Sequence, residues 1–325
     1  MATKQHHVSI VVPEGTIGQR IDRYLASLSD VFPRAASTDS RTIFLINGNQ
    51  VKKSKAIKPN DTVEVHWVEE LFDKIEPQDI PLSILYEDGH MLVIDKQQSL
   101  VVHPGAGNWD HTLVNALVHR YGEHFFTKPT SEDQTDDDEE DLSGFSDIRP
   151  GIVHRLDKDT SGVMVIAKDR SAHIDLSSQF KERSIEKYYI VLVHGRMPSR
   201  RGHLETTIVR DPRNRKRFIV GKEGEGKHAK TDYLVLRQWS DMALVRVRLH
   251  TGRTHQIRVH LSHIGCPIMG DPIYGRRNNE SYTMMLHAFS LELSHPLTGI
   301  RLRFRAPMPQ RFKDVIRAKD EKQVR

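Results

Sequence analysis

The chain has 325 residues, 28% of them charged and 37% hydrophobic, and a formal net charge of +5. That length favours two domains with a sizeable core, and no apolar run approaches a membrane span. Residues 130–147 hold nine acids and no Lys or Arg, so the rest of the chain carries +14, a balance that points to a polyanionic partner.

The first residues lack the apolar core of a secretory signal, and Cys266 has no second cysteine to pair with; a cytoplasmic location is expected. Residues 8–68 read as a small separate unit. Ile21, Leu25 and Leu28 fall on one helical face, and residues 43–46, the Asn47-Gly48 turn and residues 50–51 form a hairpin pattern. Asn60-Asp61 then leads into a strand at residues 62–67. This order, with Lys52, Lys53, Lys55 and Lys58 between hairpin and strand, resembles an S4 RNA-binding domain, a small α/β module. Acidic residues 69–81, with Pro77 and Pro81, read as a linker.

The second domain is expected over residues 82–325. Residues 84–86, the turn 87–90 and residues 91–94 predict a hairpin, and Leu113, Ala116, Leu117 and Tyr121 predict a helix. Residues 127–147 are too polar and too charged to fold alone, so a disordered acidic insertion is expected there. A turn-rich polar run at residues 154–162 precedes the apolar, β-branched residues 163–167, which places Asp157 on a loop entering a buried strand. Further on, Ala172, Leu176 and Phe180 have helical spacing, residues 187–193 read as a strand, and residues 196–230 read as a mobile basic surface suited to phosphates. Alternation at residues 243–249 predicts another strand. Ile257, Leu261 and Ile264 predict a helix over residues 254–264 closed by Gly265, and two alternating strands follow at residues 289–293 and 300–304. Many strands joined by short hairpins, with few crossover helices, favour the α+β class and a mixed, largely antiparallel sheet.

His154-Arg155-Leu156-Asp157, with Thr160, Ser161 and Gly162, fills all seven specified positions of the His-Arg-Leu-Asp-x-x-Thr-Ser-Gly motif. On these residues the chain resembles the RluA-type pseudouridine synthases. Residues 249–261 resemble the family's third motif, Lys187-Tyr188-Tyr189 its Lys-x-Tyr element, and residues 95–105 its first motif. Lys96-Gln97-Gln98-Ser99 stands where the first motif usually has Lys-Pro-x-Gly, so a different loop backbone is expected there.

The resemblance implies a pseudouridine synthase fold preceded by the S4-like domain. It implies Asp157 as the catalytic carboxylate, Tyr189 stacked on the target uracil and Arg258 paired with the aspartate. His154, Arg155, Thr160, Arg253, His255 and Gln256 are the expected substrate-binding residues. The reaction breaks C1'–N1 and joins C1' to C5 with no net redox change, so no cofactor is expected; the carboxylate acts on C1' or on the C2' proton, and either role needs it ionised. An adjacent guanidinium favours that state.

The implied partner is RNA, above all 23S-type ribosomal RNA, with transfer RNA as the other candidate and a monomer as the expected state. His250, His255, His260 and His263 lack the close paired spacing of a zinc site, and no metal is expected. Two rivals stand beside this reading: a non-catalytic RNA-binding or ribosome-assembly factor on the same scaffold, and a nucleoside glycosidase that releases the base.

Overall fold

A computed structural model describes residues 2–28, 32, 36, 39–71, 75–105, 108–122, 151–214, 216–222, 224–275 and 282–324. The expected acidic insertion at residues 127–147 lies outside them. Among the described residues, no helix is long and apolar enough to cross a membrane. The chain divides into two compact units, with the boundary between Ile75 and Glu76.

The first unit contains β1 (Ala2–Val11), α1 (Ile21–Ala26), β2 (Ile43–Ile46), β3 (Asn49–Val51) and β4 (Thr62–Leu71). Its antiparallel sheet runs β1-β4-β2-β3. Asn47 and Gly48 both take positive φ, 52° and 76°, as a two-residue hairpin turn requires. Ile21, Leu25, Phe44, Val63, Val65 and Trp67 form its core, with Leu28 packed against it beyond the end of the short helix. The sheet is longer than the sequence pattern indicates. β1 starts at Ala2 rather than near residue 8, and pairing with it carries β4 to Leu71, past the expected linker start at residue 69. Cross-strand hydrogen bonding extends both strands through residues whose composition alone reads as polar terminus and linker.

The second unit contains β5 (Ser83–Glu87), β6 (Met91–Lys96), α2 (Leu113–Tyr121), β7 (Ser161–Ala167), α3 (Arg170–Lys181) and β8 (Glu186–His194). It continues through β9 (Arg201–Arg210), β10 (Phe218–Val220), β11 (Lys227–Gln238), β12 (Met242–Leu249), α4 (Gln256–His263), β13 (Leu286–Ser294), β14 (Arg301–Arg305) and α5 (Gln310–Val324). Ten strands make one sheet in the order β10-β9-β11-β12-β8-β13-β7-β6-β5, with β14 on β13. Among the described strands only β13 and β7 pair in parallel, so the fold is the expected α+β class with a mixed, largely antiparallel sheet. All seven residues of β7 are buried, which explains the unbroken apolar run from Val163 to Ala167.

The stretch at residues 196–230 is not the mobile loop that its charges imply. It supplies β9, β10 and the start of β11. Gly202, Leu204, Thr206 and Ile208 turn inward while Arg201, His203 and Glu205 are exposed, a period of two that a count of basic residues conceals. Ile208 and Ala229 then pack against Val259 of α4 and Tyr274.

β7 and β13 meet at Ser161–His287 and Gly162–Ala288. Gly162 has φ +117°, and a Cβ there would lie 2.2 Å from the Ala288 carbonyl oxygen and 2.6 Å from its nitrogen. Neither the conformation nor the approach admits a side chain. Gly162→Ala is therefore expected to cost about 3 kcal/mol or more through backbone strain and overpacking. A urea denaturation curve tests this, and an unshifted midpoint would mean that the two strands separate freely.

Candidate active site

The loop before β7 carries Asp157 between two anchors. Lys96, at the end of β6, is 1% exposed, and its Nζ donates to the carbonyls of Gln97 and Leu100 at 2.9 Å and of Lys158 at 3.1 Å. Burial pushes its pKa down to about 8 against the pull of Asp157 and Asp159. Gln98 Nε2 donates to Asp159 O at 2.9 Å and Met284 O at 3.0 Å. Two side chains from the first-motif segment thus hold the two peptide carbonyls that follow Asp157. Ser99, standing where the family usually has glycine, takes φ +65°. The loop there adopts a backbone conformation that glycine accepts with least strain.

Arg258, on α4, reaches Asp157 across 101 residues of sequence. Its Nη1 donates to Asp157 Oδ2 at 2.9 Å, while Nε and Nη2 grip both oxygens of Asp271 at 2.7 and 2.9 Å. The Arg258 side chain is 5% exposed, that of Asp271 is fully buried, and that of Asp157 keeps 25% of its surface open. The guanidinium also lies over the Tyr274 ring, 5.1 Å from its centroid. Bidentate binding to Asp271 fixes the plane of the guanidinium, so its third nitrogen has one direction to point.

Burial pushes the Asp157 carboxyl up, but His255, Arg258 and Arg155 outweigh it, and the net pKa lies below the ordinary carboxylate value. Burial also pushes the His255 imidazole down. At neutral pH the lasting positive charges beside Asp157 are therefore the guanidinium groups of Arg258 and Arg155, which never deprotonate in this range. His255 takes φ +57° at the start of α4. This turns its Nδ1 to the Tyr274 hydroxyl at 3.0 Å and leaves Nε2 3.8 Å from Asp157.

All nine expected site residues line one cavity of about 250 Å³. Their surroundings differ. Tyr189, buried on β8, faces the cavity two strands away from β7, and burial raises its hydroxyl pKa. Arg155 is exposed at the rim, and Arg253 donates through Nε to His228 O.

Two of the expected substrate ligands, His154 and Gln256, also hydrogen-bond within the protein, and Thr160 is buried. His154 accepts the Val165 N–H at 3.0 Å and stacks on Phe180, and burial lowers its pKa to about 3, so it stays a neutral acceptor. Gln256 accepts from Thr251 and the Arg253 N–H and donates to Lys230 O and Thr231. Thr160 is 2% exposed, and its N–H donates to Asp157 O. In each case the motif residue shapes the loop that carries its neighbours. The histidines of the third motif go to separate partners: His250 to Asp232, His255 to Tyr274, and His260 to Thr206 and Thr231.

The site thus offers an ionised carboxylate and a buried aromatic ring facing one cavity with a basic rim. A family model described as RNA pseudouridylate synthase matches residues 90–263. A protein of Zymomonas mobilis named Ribosomal large subunit pseudouridine synthase D is 38% identical over 322 residues, covering 93% of this chain and 94% of that one. The chain belongs to the RNA pseudouridylate synthase family.

A Bacillus subtilis relative, named Uncharacterized RNA pseudouridine synthase YlyB, is 37% identical and covers 96% of the synthase and 97% of its own length. The solved structure of Human RNA Pseudouridylate Synthase Domain Containing 4 is 25% identical, with a TM-score of 0.53 over 72% of this chain and 92% of that chain. The family expected from the His-Arg-Leu-Asp motif is the one found. The synthase is an isomerase: it rejoins the same two fragments of one nucleoside and releases neither.

Proposed function

We propose that the synthase converts uridine to pseudouridine in large-subunit ribosomal RNA, with Asp157 as the catalytic carboxylate. The observation that carries this reading is the Asp157 carboxylate, held 2.9 Å from Arg258 Nη1 and still open to a cavity lined by Tyr189. The ribosomal substrate is the one named for the Zymomonas mobilis relative. In this reading a target uridine leaves its stack and enters the cavity. Its uracil packs on Tyr189, Asp157 acts at the sugar, and Arg155, Arg253 and His255 contact the nucleotide. The protein acts as a cytoplasmic monomer. A non-catalytic assembly factor would have no need of a buried Arg258–Asp271 pair aimed at an open carboxylate.

The test is to delete the gene and map pseudouridines across the cell's RNA. Loss of one or more from the large-subunit RNA, restored by the wild-type gene, is expected. Loss from transfer RNA alone would overturn the substrate, and release of free uracil by the pure protein would overturn the isomerisation.

The N-terminal unit, read as S4-like, supplies phosphate contacts through Lys52, Lys53, Lys55 and Lys58. Each lost contact lowers the salt slope of binding by about 0.7 to 0.9. Removing residues 1–75 is therefore expected to weaken binding to long RNA and flatten its salt dependence, while a short RNA at high concentration is still modified. Filter binding at several salt concentrations measures this; an unchanged slope would show that the unit does not hold RNA.

A further inference from the structure

We propose that the N-terminal sheet carries a transition-metal site made by His7, Glu64 and His66. His7 and His66 are direct cross-strand partners on β1 and β4, and Glu64 lies two residues from His66 on the same face. The opposite face of β4 sends Val63, Val65 and Trp67 into the core, so the three candidate ligands stand on the solvent side. The His7 and His66 rings lie 4.3 Å apart, His7 Nε2 is 3.6 Å from Glu64 Oε2, and one ligand atom from each residue lies within 4.8 Å of the others. A tetrahedral ion with bonds of about 2.0–2.1 Å sets its ligand atoms about 3.3 Å apart, so small side-chain rotations close the site.

Two imidazoles and one carboxylate select borderline ions such as Zn²⁺, Co²⁺ and Ni²⁺ over Mg²⁺ and Ca²⁺, which prefer all-oxygen shells. Three protein ligands leave a coordination position for water. The expectation of no metal rested on the histidines of residues 250–263. This cluster comes from two strands far apart in sequence, in the other unit. It also has a mechanical consequence, because among the described residues β1 is an edge strand paired with β4 alone. An ion bound by both strands pins that edge.

The full-length protein, stripped with chelator and dialysed, is titrated with Zn²⁺ against a chromophoric competitor and with Co²⁺ by visible absorption. One equivalent is expected to bind. His7→Ala and His66→Ala should each weaken it by more than about tenfold, since even residues that only support a ligand are worth 10–100-fold. Both residues are largely exposed, so the variants should fold as the wild type does, which circular dichroism checks.

Hydrogen exchange supplies a second readout. Amides of β1 are expected to slow by up to about a hundredfold at a Zn²⁺ concentration 100 times the dissociation constant, in the wild type and not in either variant. The site is overturned if no saturable binding occurs. It is equally overturned if binding survives both substitutions and is lost instead on His203→Ala, among the surface histidines and acids of β9 and β11.

Discussion

Asp157→Asn is expected to abolish pseudouridine formation, lowering the single-turnover rate by a factor on the order of 10⁴ or more, as loss of a reacting group typically does. The substitution keeps the side-chain volume, and the amide oxygen can still accept from Arg258 Nη1. What disappears is the negative charge, and with it the ability to attack C1' or take the C2' proton. RNA affinity should stay within a few fold, because the basic rim is untouched.

The acid dependence of stability should change as well. The folded pKa of Asp157 lies below its unfolded value, so the ionised pair contributes stability above about pH 4 and loses it as the pH falls through the depressed value. The Asn variant should lack this part of the acid transition. Single-turnover assays on a modified fragment and filter binding measure the two effects. Turnover within tenfold of wild type would remove Asp157 from the chemistry.

Asp271→Asn is expected to have the second-largest effect, although Asp271 faces Arg258 and not the cavity. Its fully buried carboxylate takes two hydrogen bonds from Arg258, and its Oδ1 also accepts the Ile273 and Tyr274 N–H groups. The amide can keep the turn contacts but cannot accept from the guanidinium at both positions, and the buried cation loses the more deeply buried of its two counter-charges. Removing one partner of a buried pair costs about 3–5 kcal/mol. At 2–4 °C per kcal/mol for a domain of this size, melting should fall by roughly 10 °C.

The Arg258 fork then loses its fixed plane. The rate of the chemical step should drop more than tenfold, with a smaller change in RNA affinity. Arg258→Lys is the companion variant, since an ammonium on a flexible stem cannot bridge both carboxylates in one geometry. Thermal melting and single-turnover rates test the pair. A stable, fully active Asp271→Asn protein would show that the orientation of Arg258 is set elsewhere.

Much of the synthase could be read directly from its residues. The seven matching positions around Asp157 are contiguous, so the loop and the family are visible without a fold. Local periodicity gave the hairpin at residues 84–94, the helix at residues 254–264 and the final strand pair, because those elements depend on short-range spacing and turn residues. At residues 196–230 the many basic residues mask a strand period of two. There Leu204, Thr206 and Ile208 alternate inward against the exposed Arg201, His203 and Glu205.

Only the tertiary structure separated the cavity residues that remain open from those the protein uses to hold itself together. His154 and Gln256 belong to the motifs as firmly as Asp157 does, yet His154 Nε2 is taken by the Val165 N–H and the Gln256 amide by Thr251, Arg253, Lys230 and Thr231. Asp271 stands out in none of the sequence motifs, and Lys96 is marked only as part of the first motif. Their importance comes from burial beside Arg258 and behind the Asp157 loop. The sequence by itself determined the motif loop, the local elements and the reaction family, because each is written in neighbouring residues. The Asp157–Arg258–Asp271 bridge and the meeting of His7, Glu64 and His66 were decided by topology, because burial and cross-strand register exist only once distant segments have packed.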